Sequence, residues 1–183
     1  MMHRRKLLFT GLATTTGVVG LAGCAGPSIQ DFADQKPTLD LKTYFNGIVD
    51  AWGMFTDRNG KVVKRFTVEM KCQWINDQGV LDEDFVYSDG KTEKRIWKLT
   101  DKGNGVFTGT AGDVIGIAEG QSKGNAFNWR YTLALPVDGS IIHVQMDDWM
   151  YLMNDKVMLN KADRKSTRLN SSHMSESRMP SSA

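Results

Sequence analysis

In the stretch KRFTVEMKCQW every second residue is apolar: Phe66, Val68, Met70, Cys72 and Trp74 alternate with Arg65, Thr67, Glu69, Lys71 and Gln73. Successive side chains of a β-strand point to opposite faces, so a period of two predicts a strand with one face buried and one in water. The pattern recurs. In AFNWRYTLALPV the residues Phe127, Trp129, Tyr131, Leu133 and Leu135 share one face, against Asn128, Arg130 and Thr132. In SIIHVQMDDWMYL the inward set is Ile142, Val144, Met146, Met150 and Leu152, against His143, Gln145 and Asp147. No long stripe of helical period and no internal repeat interrupts this.

Between the strands lie turn sequences: Arg58-Asn59-Gly60, Asp77-Gln78-Gly79, Asp89-Gly90, Gly103-Asn104-Gly105, Asp138-Gly139 and Asn154-Asp155. Asn-Gly and Asp-Gly supply the positive φ that tight hairpins require. About eight strands joined by sequential hairpins make an antiparallel meander. A meander of that length removes its exposed edges by closing, which predicts an all-β, up-and-down barrel or half-barrel; a β-sandwich is the alternative. The glycines of TGTAGDVIGIAEGQSKG contain no phosphate-loop spacing, and Gly109, Gly112, Gly116 and Gly120 are read as allowing curvature and close strand approach.

Both ends of the chain read differently from the middle. Arg4, Arg5 and Lys6 precede a Gly/Ala/Thr-rich apolar run ending in Leu21-Ala22-Gly23-Cys24, the layout of a secretory signal and too short for a comfortable membrane span. The ending resembles the lipobox of bacterial lipoproteins, which implies cleavage after residue 23 and a diacylglycerol on Cys24. By the same resemblance, Ala25 in place of Asp implies the outer membrane, on its periplasmic face. Residues 24–40 are polar, with two prolines and no period, and are expected to be a flexible tether. The domain is then expected over residues 41–162. From Asp163 the sequence DRKSTRLNSSHMSESRMPSSA has neither period nor turn logic and resembles a translated sequencing adapter, so residues 163–183 are expected to form a non-native, unstructured tail.

Setting the ends aside changes the charge argument. The whole chain carries a formal +2, but between Cys24 and Ala162 acidic residues exceed basic ones by about three. No basic patch remains to argue for nucleic acid. One histidine is left, His143, on the expected solvent face, so neither a His-based metal site nor a Ser/His/Asp triad is expected. Cys72, among Phe66 to Trp74, reads as a buried small hydrophobe rather than a reactive thiol. No catalytic residue, metal or cofactor is assigned.

One constellation departs from the pattern. In LDEDFVYSDGKTEKRIW the face carrying Leu81, Phe85, Tyr87 and Trp97 also carries Glu83 and Arg95. A three-residue Ser88-Asp89-Gly90 loop pairs Glu83 with Arg95 across the hairpin, predicting an inward salt bridge. Continuing the alternation through Asp147-Asp148 turns Asp148 inward as well. Glu83, Arg95 and Asp148 are therefore expected to form a polar network inside the barrel, among ligand-facing or core residues Phe66, Met70, Trp74, Phe85, Tyr87, Trp97, Trp129, Tyr131 and Met146. Two inward carboxylates could also serve as an acid/base pair. Asp113, after Gly112 at a strand start, is read as a turn cap.

The segments AWGMFTDRNGKVVKRFTV, LDEDFVYSDGKTEKRIW, GTAGDVIGIAEGQSKGNAFNWRYTL and DDWMYLMNDKVMLNKA resemble a family of proteobacterial lipoproteins, a domain-of-unknown-function family with a lipocalin-like barrel. The resemblance covers nearly all of Phe45 to Ala162 and implies fold and location, with no activity attached. The family pattern continues past Asn160-Lys161-Ala162 with a further strand that this chain lacks, so the final strand is expected to be missing. The expected function is an outer-membrane, periplasm-facing lipoprotein anchored by its N-terminal lipid and binding a lipid or fatty-acyl ligand. A filled barrel acting as an envelope assembly partner and a carboxylate-based enzyme are the alternatives.

Overall fold

The structure, a computed structural model, describes residues 26–57, 59–137, 139–165 and 170–178. The signal segment and Cys24 lie outside the described residues. A short 3-10 turn, Ile29–Phe32, and a single helical turn α1, Leu41–Tyr44, precede the strands. The strands are β1 Gly47–Thr56, β2 Val62–Ile75, β3 Gln78–Tyr87, β4 Thr92–Gly103 and β5 Val106–Thr110. They continue as β6 Val114–Lys123, β7 Ala126–Val137, β8 Ser140–Asn154 and β9 Val157–Lys165, with β10 at Asn170–Arg178.

Each of β1 to β9 pairs antiparallel with its neighbour in sequence, giving the expected up-and-down meander curled into a lipocalin-like half-barrel. β10 pairs with both β9 and β1 and closes the sheet. The expected unpaired tail from Asp163 is corrected at this point. β9 runs to Lys165, and where a final strand is expected to be missing the backbone of 170–178 lies between β9 and β1 as β10. Two facing edges present rows of unpaired N–H and C=O groups, and backbone pairing needs no particular side-chain pattern. Residues 166–169 and 179–183 lie outside the described residues.

The alternation read from the sequence maps onto the inside of this barrel: Val68, Met70, Cys72, Leu81, Trp97, Leu99, Phe127 and Trp129 are buried in one core cluster. Bulky rings are accommodated by glycines on the neighbouring strand. Gly79 pairs with Trp74 in register, and a Cβ there would lie 2.7 Å from the indole. Gly120 pairs with Trp129 and Gly53 with Phe66, in each case with the ring over the glycine Cα. Such pairs let a strand bend while the aromatic covers the exposed backbone. At Gly116 the φ of +71° and a register shift between Ile115 and Glu119 mark a bulge in β6.

The end of the barrel formed by the turns after β2, β4, β6 and β8 is closed. Leu41, Tyr44 and Phe45 of and after α1 are buried there. The Trp74 indole N–H donates to the Phe45 carbonyl at 2.9 Å, and Lys42 bridges Asp77 and Asp101 at 2.9 and 2.8 Å. The segment expected to be a flexible tether is ordered from residue 26. Ser28 caps the 3-10 turn in a capping box, and Phe32 packs at a tilt against Trp149 and Tyr151 with centroids 5.6 and 5.3 Å away. The Leu39 N–H donates to Gly124 O at 2.8 Å. Trp149 points outward by parity yet is buried, and this contact, long-range in sequence, supplies the cover that a polar composition could not announce.

Candidate functional site

Within the barrel is a cavity of about 310 Å³, floored by Leu41 of α1 and Phe45 just after it. Its walls are Phe66, Met70, Phe85, Trp97, Trp129 and Met146 with other apolar side chains, and Tyr87 and Tyr131 also line it. Eight of the nine residues expected to face ligand or core interior are therefore in this wall. Trp74 is the exception: it is spent on closing the barrel end, edge-on to Phe107 and bonded to Phe45. Trp97 meets Trp129 and Tyr131 edge to face, at 5.5 and 5.3 Å between centroids, which fixes the rings in the middle of the wall.

The hairpin that presents the acidic and basic groups has the register expected of its loop. Glu83 pairs with Arg95, Leu81 with Trp97 and Phe85 with Glu93. Gly90, at φ +80°, closes the loop by donating its N–H to Tyr87 O at 2.9 Å. The expected Glu83–Arg95 salt bridge nevertheless does not form. Arg95 turns its Nε and Nη2 to Asp113, with contacts of 2.9 and 2.7 Å to Oδ2 and 3.2 Å from Nε to Oδ1. A two-point carboxylate satisfies the planar guanidinium better than a directly opposed Glu. Asp113 is thus the Arg95 partner rather than a simple turn cap; its backbone carbonyl also accepts the Ala134 N–H at 2.8 Å. Glu93 lies 3.6 Å from Arg95 Nη2 and accepts the Tyr87 hydroxyl at 2.7 Å.

This leaves Glu83 buried, at 9% exposure, with no hydrogen bond or ion pair to its carboxyl among the described residues. Its pKa is raised to about 7, first by loss of hydration and then by Asp113, Asp148 and Glu93; Arg95 opposes the shift. Asp148 points inward as the alternation predicts and is 6% exposed. The Tyr131 hydroxyl donates to Asp148 Oδ2 at 3.1 Å, while Oδ1 is buried without a partner among the described residues. Burial raises Asp148 to about 7 as well, against the pull of Tyr131 and Arg95. Its neighbour Asp147 points outward, accepting from Asn128 at 2.7 Å and Arg130 at 3.3 Å. Arg164 lines the cavity farther along β9 and is itself engaged in an interaction.

The expected residues Glu83, Arg95 and Asp148 are brought together around one cavity, but as an ion pair with Asp113 plus two acidic groups, not as one salt-bridged triad. Asp113 was missed because its distance from Arg95 depends on barrel curvature. The only sequence signal was an Asp beside glycines at a strand start. Cys72 is buried, and loss of hydration pushes its thiol up to about 12, consistent with an inert core side chain. His143 is exposed, as expected. Among the described residues no three His, Cys, Asp or Glu side chains are grouped to hold a metal ion.

A closed end, a cavity inside an up-and-down sheet and polar groups at one depth define a lipocalin-like barrel. The family model described as "Protein of unknown function (DUF3833)" matches residues 18–167, and the chain belongs to that family. No curated protein matches the sequence. Among solved structures, the chain is similar to an S-type phycobiliprotein lyase, CPES, from Guillardia theta, with a TM-score of 0.53 and 6% identity. That match covers 75% of this chain and 89% of the other, and at such low identity it speaks to the fold alone.

Proposed function

We propose that this protein is a lipid-anchored binding module of the bacterial outer membrane, facing the periplasm, whose barrel holds an apolar or amphipathic ligand such as a fatty-acyl chain or lipid fragment. The observation that carries the reading is the cavity of about 310 Å³, walled by aromatic rings and methionines. Small barrels either fill their interior with side chains or hold one small ligand, and space of this size fits the second case. A filled-barrel assembly partner accounts for it less well. The shared fold with a phycobiliprotein lyase supports small-molecule binding as a class.

The anchoring rests on the Leu21-Ala22-Gly23-Cys24 ending and the basic, apolar run before it. Pro27 lines an outer groove that runs along β5 to β8 and includes Ile115 and Ile117, residues of β6 toward the open end. Exposed Val63, Ile141 and Ile142 in the hairpins at that end add apolar surface there. An acid/base enzyme is the second reading, favoured by one observation: Glu83 and Asp148 face one cavity with pKa values held near neutrality.

Native mass spectrometry of the full chain, extracted from membranes in mild detergent, tests the proposal. The expected result is a co-purifying small molecule that dissociates on activation. A barrel that carries nothing and takes up no added alkyl chain would overturn it in favour of the scaffold.

A further inference from the structure

The polar groups in the cavity are not those that an acidic amphiphile would need. A fatty-acid carboxylate seeks a cation with unoccupied donors, yet the Nε and Nη2 edge of Arg95 is taken by Asp113. The pair neutralises itself. Beside this pair, two acceptors have no hydrogen-bond or ion-pair partner among the described residues, Asp148 Oδ1, buried in the cavity wall, and the Glu83 carboxyl, and the acidic groups Glu83, Glu93, Asp113 and Asp148 outnumber the single charge of Arg95. A buried acceptor left unmade costs free energy that a donor on a ligand would recover. A ligand carboxylate would instead add negative charge beside Glu83, Glu93, Asp113 and Asp148.

Resting on the binding-module reading, we propose that the cavity selects an amphiphile whose head is a hydrogen-bond-donating cation, a primary ammonium or amidinium, seated between Glu83 and Asp148 with its apolar tail against Trp97, Trp129 and Met146. The ammonium presents three donors and no acceptor, which complements two carboxylates. Tyr131 holds Asp148 by its other oxygen and so orients the unpartnered one.

Protons and ligand compete for the same site. The groups facing Glu83 are Arg95 and Glu93 on β4, Asp113 before β6, Asp148 on β8 and the Cys72 thiol on β2. Those facing Asp148 are Tyr131 on β7, Arg95, Asp147 and Asp163. With both carboxyls near pKa 7, they are protonated in acid and ionised in base, so affinity for a cation rises as pH increases through neutrality.

The test is calorimetric titration of the full chain with octylamine, octan-1-ol and octanoate, three probes of one chain length. At about pH 8 octylammonium is expected to bind about tenfold tighter than the other two, the worth of one charge-assisted hydrogen bond. That preference should shrink at about pH 5.5 and vanish in the Glu83→Gln, Asp148→Asn double variant, with a cooperative unfolding transition of that variant as the check on folding. The wild-type pH series stands even if the variant fails to fold. Octanoate or octanol binding as tightly as octylammonium at the higher pH overturns the cationic head but leaves the binding module intact. Binding of none of the three, together with no co-purifying molecule, overturns both.

Discussion

Arg95 shows how one side chain's choice of partner changes the consequences of mutation. Its side chain is 16% exposed and that of Asp113 29%, so the pair is only partly hydrated. Removing the Asp113 carboxylate leaves a guanidinium short of its bidentate acceptor. Asp113→Asn is expected to cost about 2–3 kcal/mol in urea denaturation, below the range for a fully buried pair because water reaches this one. Glu83 behaves oppositely. Its folded pKa and that of Asp148 lie above the ordinary carboxylate range, so the folded state binds these protons more tightly than the unfolded chain does. The stability this confers is fully present below the unfolded values of about 4 and is lost as pH rises to about 7, at up to roughly 1.4 kcal/mol per pH unit for each group. Glu83→Gln should flatten that slope and leave the protein at least as stable as wild type at about pH 8, measured by denaturation midpoints across pH. A large loss at that pH would mean that Glu83 does hold Arg95.

At the scale of elements, the barrel depends on matching large residues with none at all. Gly79 lies under Trp74, whose indole also ties β2 to the residue after α1. Gly79→Ala is expected to displace that ring, cost about 1–3 kcal/mol and shift tryptophan emission, as overpacking of a tight site does. The 3-10 turn at Ile29–Phe32 plays a comparable part on the outside. Phe32→Ala uncovers Trp149 and Tyr151 and should cost about 2 kcal/mol, with a red shift in emission. A segment that behaved as a loose tether would show neither change. The wall across from that turn matters equally: any Cβ at Gly124 would run into the Phe32 carbonyl.

The whole molecule joins a closed barrel end, a cavity and, outside the described residues, a lipobox-like cysteine. If Cys24 carries the anchor, Cys24→Ser should leave the precursor unmodified and remove the protein from the outer-membrane fraction, since the diacyl chains supply the attachment. Fractionation by density gradient and immunoblot measures this, and wild-type recovery in that fraction would count against lipidation. The variant's barrel should still bind its ligand, because the cavity walls come from strands well downstream of the anchor.

Strand parity was legible in the linear sequence because a period of two puts each residue on a definite face. Phe66 to Trp74, Phe127 to Leu135 and the inward Asp148 could all be read that way. So could the Glu83–Arg95 register, since an Asp-Gly loop of known length sets cross-strand partners locally. What parity cannot supply is distance across the interior. Whether Arg95 meets Glu83 or Asp113, whether Trp74 lines a cavity or seals an end, and whether Phe32 covers Trp149 depend on curvature summed over many strands. So does the closing role of the backbone at Asn170–Arg178, which follows from the two edges it lies between rather than from its own pattern. Faces are a local property of the β backbone; partners across a barrel are a property of its closure.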